Sequence, residues 1–498
     1  MAALRAKPIS VVSTRWRQRR SIRIQAAASS ELRRFANIGK GLRASAHNAV
    51  KDRRMTLLFL ELNEVNFDQL RAYAGRGKLP NLAKLIERHG VSETSSEARY
   101  EELEPWIQWV SAHTGMPLAE HGVYRLGDIV GRDLEQIWEV LERQGVRVGA
   151  ISPMNAENRC VDAAFFVPDP WTPTAISGPS ALRRLYAPIA QAVNDNAEAR
   201  LTMSTAAGLI AGLLRYAAPA NYPGYAGDVI GAARRRVWRK AMMLDRLLAD
   251  VFVREVKRTQ PGFATLFLNA AAHIQHHYLF NSSVYEGALS NPGWYIRPGI
   301  DPVFEIYQLY DRIVGQVQQA FPEARLMLAT GLHQDPHGQV TLYWRLRDHV
   351  GFLERAGVPF QRIEPRMSRD FVVFCRDADE AARAADRFSR IISVDGQPLF
   401  SVDNRGDSLF VELTWAGEIG PDFVYLIDGA EVSGLSGDVA FVAVKNGQHN
   451  GIGYFLDTAA NAGEAQFPIT EIPARICQAL GVEWTGGHGK LSEPLAAE

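Results

Sequence analysis

The sequence predicts an α/β fold: a central, mostly parallel β-sheet covered by helices on both faces, with a helical insertion and a small α+β cap. Three observations predict it. Short, nearly continuous apolar runs recur along the chain, as expected of strands that are buried on both faces. Amphipathic helical segments alternate with these runs. Late in the chain the order of the elements changes, which indicates a separate unit.

The core elements are predicted in chain order, beginning with a strand at residues 56–60. A helix follows at residues 79–90, with Pro80 near its start and Gly90 at its end. Four further segments have the pattern of strands, namely 146–152, 262–268, 324–329 and 439–444. Three further segments have the pattern of helices, namely 133–144, 302–321 and 472–480.

Two stretches interrupt this alternation. Residues 160–255 are mostly helical in pattern, and residues 367–415 have the β-α-β-β order of a small α+β unit. We therefore predict an N-terminal extension at 1–54, a core of residues 55–345 and 420–498 that includes the helical insertion, and a cap at 346–419.

Composition excludes several classes of protein. The 498 residues are 47% hydrophobic and 22% charged, which excludes disordered, collagenous and disulfide-rich secreted chains. The 55 basic and 55 acidic residues balance, but 14 of the basic and only two of the acidic residues lie in residues 1–54. The remaining body is acidic, so we predict no nucleic-acid partner, because phosphate binding needs concentrated positive charge.

The N-terminal extension has three interpretations: a targeting segment, a solvated basic tail, or a stretch upstream of a true start at Met55. The longest apolar run, 206–218, is interrupted by Arg215 and is shorter than the roughly 20 residues that a membrane-spanning helix needs. We therefore predict no membrane span and a cytoplasmic location. An organellar location is the alternative if residues 1–54 act as a transit peptide.

Carboxylate, amide and imidazole side chains follow the predicted strands at their carboxyl ends, where ligands bind in open α/β sheets. These candidate metal ligands and their neighbours are Glu61, Asn63, Asn269, His273, His276, His333 and His449. Carboxylate and imidazole groups are the ligands of zinc and transition-metal sites. His273 and His276 share one face of a predicted helix, so at most two histidines of this helix serve one metal.

The segment at residues 100–109 contains three acids and two tryptophans. We predict that Glu102, Trp106 and Trp109, with Asn269, bind substrate, since aromatic faces pack on sugar rings and carboxylates accept hydroxyl protons. The alternative is that both tryptophans belong to the core and the acids are solvated.

Several motifs, in matching order, resemble the alkaline phosphatase superfamily, and in particular its type I phosphodiesterase/nucleotide pyrophosphatase-like branch. They lie at residues 79–85, 111–115, 120–123, 137–149, 310–315, 447–449 and 469–482. The resemblance implies an alkaline-phosphatase-like three-layer sandwich. It also implies two divalent metals, which polarise a phosphoryl oxygen, and a Thr or Ser nucleophile.

The nucleophile and the first metal ligand depart from the family pattern. The nucleophile position falls on Glu104 or Pro105, and neither has a hydroxyl. The first-strand aspartate corresponds to Glu61 or Asn63. The resemblance therefore implies direct attack by a metal-bound hydroxide, with Glu104 in the catalytic position, and no covalent phospho-enzyme.

The histidine motifs match the family to different degrees. The aspartate–histidine pair aligns as Asn269/His273 or as Ala272/His276, and the second alignment lacks the carboxylate. His333 matches through a shift, whereas His449 matches directly.

Taken with the motifs, these residues predict a metal-dependent hydrolase or transferase of a phosphate-type ester. The predicted cofactor is a divalent ion (Zn, Mn or Ca), with one ion, two ions or none left open. The predicted substrate is a small-molecule or glycan-linked phosphoester. The alternative is a catalytically inactive superfamily member that binds a glycan or a partner protein. The oligomeric state is left open.

Overall fold

A computed structural model describes residues 56–194, 203–366, 369–459 and 466–487. All described residues belong to one compact unit that begins at residue 56. The predictions for residues 1–54 lie outside the described residues.

The described strands and helices alternate along most of the chain. The strands are β1 (Leu57–Leu62), β2 (Ser92–Ser95), β3 (Val148–Ile151), β4 (Phe165–Val167), β5 (Phe263–Leu268), β6 (Arg325–Ala329), β7 (His333–Leu346), β8 (Arg362–Pro365), β9 (Asp370–Phe374), β10 (Ile391–Ser393), β11 (Phe400–Asn404), β12 (Ser408–Leu413), β13 (Val424–Ile427), β14 (Ala430–Ser433), β15 (Val439–Asn450), β16 (Ile452–Asp457) and β17 (Gln466–Pro468). The α-helices are α1 (Phe67–Gly75), α2 (Pro80–His89), α3 (Pro105–Thr114), α4 (Leu118–His121), α5 (Ile137–Arg143), α6 (Ser180–Asn194), α7 (Met203–Tyr216), α8 (Tyr222–Ala233), α9 (Arg239–Thr259), α10 (Ala270–Tyr278), α11 (Pro302–Ala320), α12 (His349–Ala356), α13 (Ala378–Ser389), α14 (Leu435–Asp438) and α15 (Ile472–Leu480).

The central sheet has eight strands in the order β17-β2-β16-β6-β1-β5-β3-β4. Neighbouring strands are parallel except at β16, which runs antiparallel to both β2 and β6. All six residues of β1 are buried, as the continuous apolar run predicted. The predicted α/β fold with a mostly parallel central sheet is confirmed.

Helices cover both faces of this sheet. Leu58, Leu60 and Leu62 of β1 pack into one apolar cluster, with residues of α1, α2, α9, α10 and α11. Leu57 and Phe59 point the other way, into a cluster with α3, α5 and α15. The side chains of β1 alternate between the two clusters because successive side chains of a strand point to opposite faces of the sheet. The sheet and the helices on its two faces therefore form three layers.

The predicted strand at 439–444 is not part of the central sheet, and in this respect the prediction was wrong. It belongs to β15, which pairs with β7 in a two-stranded antiparallel ribbon. An apolar run is compatible with either environment, and only tertiary pairing decides between them. The last long strand of the core is β16. The ribbon places His449 opposite Gln334, and Asn450 opposite His333.

The predicted β-α-β-β order of the cap is present as β9, α13, β11 and β12. These strands form an antiparallel sheet in the order β11-β12-β9-β8, and β10, β13 and β14 form a smaller one. Residues from Leu346 to Val439 contribute to an apolar cluster of their own. The predicted domain boundaries remain predictions.

The helical insertion contains the short strand β4 and the helices α6 to α9. The buried carboxylate of Asp228 contacts both Arg246 and Arg239. None of the described helices combines the length and the apolar character that crossing a membrane requires.

Candidate metal centre

Three side chains converge beyond the carboxyl end of β1: Glu64, His276 and His449. Oε2 of Glu64 lies 3.2 Å from Nε2 of His276 and 3.3 Å from Nε2 of His449. The two Nε2 atoms are 3.3 Å apart. Among the described residues, this is the group of acid, histidine and cysteine ligands close enough together to hold a metal ion.

The backbone of Glu64 has an unusual conformation that directs its side chain into this cluster. Its φ is 59°, in the left-handed region that non-glycine residues rarely adopt. Its amide donates to the carbonyl of Thr330, at 3.0 Å, which ties the turn after β1 to the end of β6. Strain of this kind persists where the surrounding structure enforces it, and it is concentrated at functional sites.

Two amide side chains hold the Glu64 carboxylate, one at each oxygen. Nδ2 of Asn63 donates to Oε1 at 3.0 Å, and Nε2 of Gln334 donates to Oε2. Asn63 is itself fixed by two contacts. Its Oδ1 accepts from the indole nitrogen of Trp109 at 2.7 Å, and its Nδ2 also donates to Oδ1 of Asn269 at 2.8 Å.

The two histidines come from elements that are far apart in sequence. His276 lies on α10, directly after β5, and His449 lies on β15. Nδ1 of His449 lies 3.8 Å from Oε2 of Glu104, while its Nε2 faces Glu64 and His276.

The charges of these groups are strongly coupled. Burial by itself would raise the pKa of Glu64, but His449 and His276 together hold that pKa well below its usual range. Burial would lower the pKa of His449, yet the charge of Glu64 and a hydrogen bond with it raise it. Burial, with a contribution from the charge of Glu64, raises the pKa of Glu104 to about 7.

The residues present fit a divalent transition metal. Ligand atoms bound at about 2.0–2.1 Å in a tetrahedral site lie about 3.3 Å from one another, which matches the observed separations of 3.2–3.3 Å. Two imidazoles and one carboxylate leave a position open for substrate, as in catalytic zinc sites. In addition, Oε1 of the buried Gln334 has no hydrogen-bond partner among the described residues.

Several of the predicted site residues lie in or beside this cluster. His276 and His449 are two of its three ligands, Asn63 orients the third, and Asn269 supports Asn63. Glu104 lies at the edge of the cluster, next to His449.

Glu61, His333 and His273 are not brought into it. Glu61 points to the opposite face of β1, where it lies 3.2 Å from His113 and accepts a hydrogen bond from Thr265. His333 pairs with Asp335 at 3.1 Å. The ring of His273 packs against that of His277. Burial, with a contribution from the charge of His276, lowers the pKa of His273 to about 4.

The three side chains of the segment at 100–109 that were predicted to bind substrate have structural partners. Trp109 is fully buried and donates to Asn63, so its ring cannot pack on a sugar, and that prediction was wrong. Trp106 donates to the carbonyl of Tyr124 at 3.1 Å, and Glu102 pairs with Arg99. The alternative interpretation, that Trp109 belongs to the core, is the one that the structure supports.

Sequence reasoning missed Glu64 and Gln334. Glu64 stands among the polar residues after the first strand, and Gln334 follows the predicted strand at 324–329, so their position after strands is the signal that could have found them. The left-handed turn at Glu64 and the pairing of β7 with β15 bring them to the cluster, and neither feature has a signal in the sequence.

No protein-family model matches this chain, and no curated protein matches it. Among solved structures, it is similar to phosphonoacetate hydrolase from Sinorhizobium meliloti 1021 in complex with phosphonoacetate, with 13% identity and a TM-score of 0.44, over 86% of this chain and 96% of that one. It is also similar to murine ectonucleotide pyrophosphatase/phosphodiesterase 5 in complex with AMP, with 10% identity and a TM-score of 0.42, over 88% and 97%. For the human form of that protein the values are 9% and 0.41, over 87% and 97%.

These proteins are members of the alkaline phosphatase superfamily, the group that the sequence motifs resemble. The identities and TM-scores of this likeness are low. The likeness carries no inference about the metal, the substrate or the catalytic residues of this chain.

Proposed function

We propose that this chain is a metal-dependent hydrolase or transferase of a phosphate-type ester, with one divalent metal bound by Glu64, His276 and His449. The observation that carries the proposal is the convergence of these three ligand atoms at 3.2–3.3 Å. Zinc is the metal that this donor set favours, since two imidazoles and a carboxylate with an open position are typical of catalytic zinc sites.

When bound, such an ion supplies Lewis-acid polarisation of a phosphoryl oxygen. The side chains of this chain would perform the remaining tasks. Asn63 and Gln334 hold the Glu64 carboxylate in place. Glu104 lies beside the cluster without being part of it, so its carboxyl is placed to accept a proton from an attacking water or to donate one to a leaving group.

Two neighbouring cations, Lys445 and Arg369, favour an anionic substrate, and Lys445 lies close to Glu104. Lys445 lies on β15, four residues before His449, and is close enough to Glu104 and Arg369 to interact with their charges. Arg369 lies over the ring of Tyr343, with its guanidinium carbon 4.3 Å from the centroid, and contacts Glu412 at 3.2 Å. Burial and the nearby Arg369 lower the pKa of Lys445, so an anion bound here would offset a repulsion between two cations.

The proposed substrate is a small-molecule phosphoester. A glycan-linked phosphoester would be recognised at Tyr100, whose ring is exposed and lies close enough to Glu104 for their charges to interact.

The test is metal content and turnover in the full-length chain. After metal loading, we expect the wild type to contain about one equivalent of zinc by mass spectrometry and to hydrolyse a generic aryl phosphate mono- or diester. Both the zinc and the hydrolysis should be lost in His449→Ala and in Glu64→Ala. His337→Ala is the matched control, because within the described part of the chain His337 hydrogen-bonds with Gln339 and lies outside the cluster. Chelation should lower the melting temperature of the wild type but not that of His449→Ala, because a site-bound metal stabilises the folded state.

Wild-type protein that binds no divalent metal would refute the proposal. Metal binding that depends on His449, without turnover of any phosphoester, would favour the alternative of an inactive relative. One observation favours that alternative: the position where the family has its nucleophile is occupied by Glu104 and Pro105, neither of which has a hydroxyl.

A further inference from the structure

The helical insertion has an apolar surface on the side of α7 and α8 that faces solvent. The exposed residues of α7 include Met203, Ala207, Ile210, Ala211 and Leu214, and Leu214 is 82% exposed. The exposed residues of α8 are all uncharged: Tyr222, Pro223, Ala226, Val229, Ile230 and Ala233, with Gly227. A helix on the surface of a water-soluble domain normally has charged and polar side chains on this side.

Exposed large apolar side chains are concentrated in this region. Of the 13 such residues among those described, seven lie within residues 203–237. They are Met203, Ile210, Leu214, Tyr222, Val229, Ile230 and Val237. Scattered exposed apolar residues are ordinary, but a concentration on consecutive helices marks an interaction surface. Both helices pack on α9, which holds them on one body.

The exposed charged side chains within residues 203–259 are all basic. All four acids within residues 203–259 are buried, each with partners inside the fold: Asp228, Asp245, Asp250 and Glu255. The exposed charged residues are basic, and they include Arg215, Arg234, Arg235, Lys240, Arg254 and Lys257. Of the four further acids of the insertion, Asp169 is buried, Asp162 is exposed beside Val161, and Asp195 and Glu198 lie outside the described residues.

We propose that the α7–α8 surface binds the face of an anionic phospholipid membrane. Apolar side chains on this surface would enter the boundary between headgroups and acyl chains, while the surrounding arginines and lysines would contact lipid phosphates. The helices have 14 and 12 residues, too short to cross a bilayer, so the chain lies on the membrane. The proposal is independent of the metal centre.

Charge argues against two other occupants. Residues 1–54 carry 14 basic and two acidic residues, so they would be repelled by the basic residues around this surface. A second copy of the chain would bring two basic borders together. An anionic lipid surface complements both features, the apolar helix faces and the basic border.

The test is co-sedimentation of the full-length chain with vesicles of phosphatidylcholine alone and of phosphatidylcholine with phosphatidylglycerol. We expect binding to the anionic vesicles, weakened at high ionic strength because the attraction is partly electrostatic. The double variant Ile210→Glu/Leu214→Glu should lower the partition coefficient at least about tenfold, and so should Arg234→Ser/Arg235→Ser. Val161→Glu, at a residue that is 94% exposed elsewhere on the chain, is the matched control and should bind like the wild type.

Far-ultraviolet circular dichroism and melting temperature establish that each variant is folded, which is expected because the substituted side chains are exposed. The proposal is overturned if the wild type binds neither kind of vesicle, or if the Ile210→Glu/Leu214→Glu variant binds as well as the wild type. It is also overturned if light scattering shows a dimer that the same variant dissociates while no vesicle binding occurs. His449→Ala should bind vesicles normally, which separates this proposal from the metal centre.

Discussion

Trp109 and Trp138 provide a matched pair of buried tryptophans that differ in one hydrogen bond. Both are at most 1% exposed and both belong to the same apolar cluster. The indole nitrogen of Trp109 donates to Oδ1 of Asn63 at 2.7 Å, whereas that of Trp138 has no hydrogen-bond partner among the described residues. Replacing either tryptophan by Phe therefore removes a similar amount of packing, but only Trp109→Phe also removes a hydrogen bond.

The expected magnitudes follow from these contacts. Each Trp→Phe change leaves a partial cavity, at a cost of about 1–2 kcal/mol in the free energy of unfolding. Trp109→Phe also leaves Oδ1 of the buried Asn63 without its donor, which adds about 1–3 kcal/mol. We therefore expect Trp109→Phe to be the more destabilising of the two, by about 1–3 kcal/mol.

The second readout is metal affinity. Asn63 holds Oε1 of Glu64 at 3.0 Å, so its release loosens a predicted metal ligand. Loss of such an orienting contact typically lowers metal affinity about 10- to 100-fold. Urea denaturation of the metal-free protein and zinc competition titration measure the two effects. Equal losses of stability in Trp109→Phe and Trp138→Phe, or unchanged zinc affinity in Trp109→Phe, would refute this reasoning.

Two further predictions concern Glu139 and Gly447. Burial raises the pKa of Glu139 from 4.5 to about 7. Between pH 4.5 and pH 7 the carboxyl of Glu139 is therefore ionised in the unfolded chain but still protonated in the folded chain. The free energy of unfolding should therefore fall by up to about 3 kcal/mol as pH rises from 4.5 to 7. Glu139→Gln, which keeps the capping box with Gln136, should remove that fall, and a variant–wild-type difference that is constant with pH in urea denaturation would contradict this. At Gly447 an added methyl group would overlap Oε1 of Gln334, so Gly447→Ala should weaken zinc binding about tenfold or more. Gly338→Ala, where no atom lies within 4 Å, is the control, and equal zinc affinity in both variants would count against the assigned role of Gln334.

The sequence identified the strand ends as the place of the site, and it identified two of the three cluster ligands. His276 and His449 were accessible to sequence reasoning because each follows an apolar run or matches a motif. Glu61 was an incorrect choice for the third ligand. In a strand, alternate residues point to opposite faces, so Glu61 shares the face of Leu57 and Phe59 and lies against His113.

The sequence predicts features that depend on local interactions, whereas features that depend on non-local interactions need the tertiary structure. Apolar periodicity, proline and glycine positions and charge counts are properties of short segments, so the sequence by itself determined the α/β class, most element positions and the presence of the cap. The position of Glu64 in the candidate metal cluster depends on the left-handed turn at Glu64 and on the pairing of β7 with β15. Only the tertiary structure decided these features, because they depend on contacts between residues that are far apart in the chain. Glu64 contacts Thr330 and Gln334, more than 200 positions away, and the paired residues of β7 and β15 are 93 to 117 positions apart.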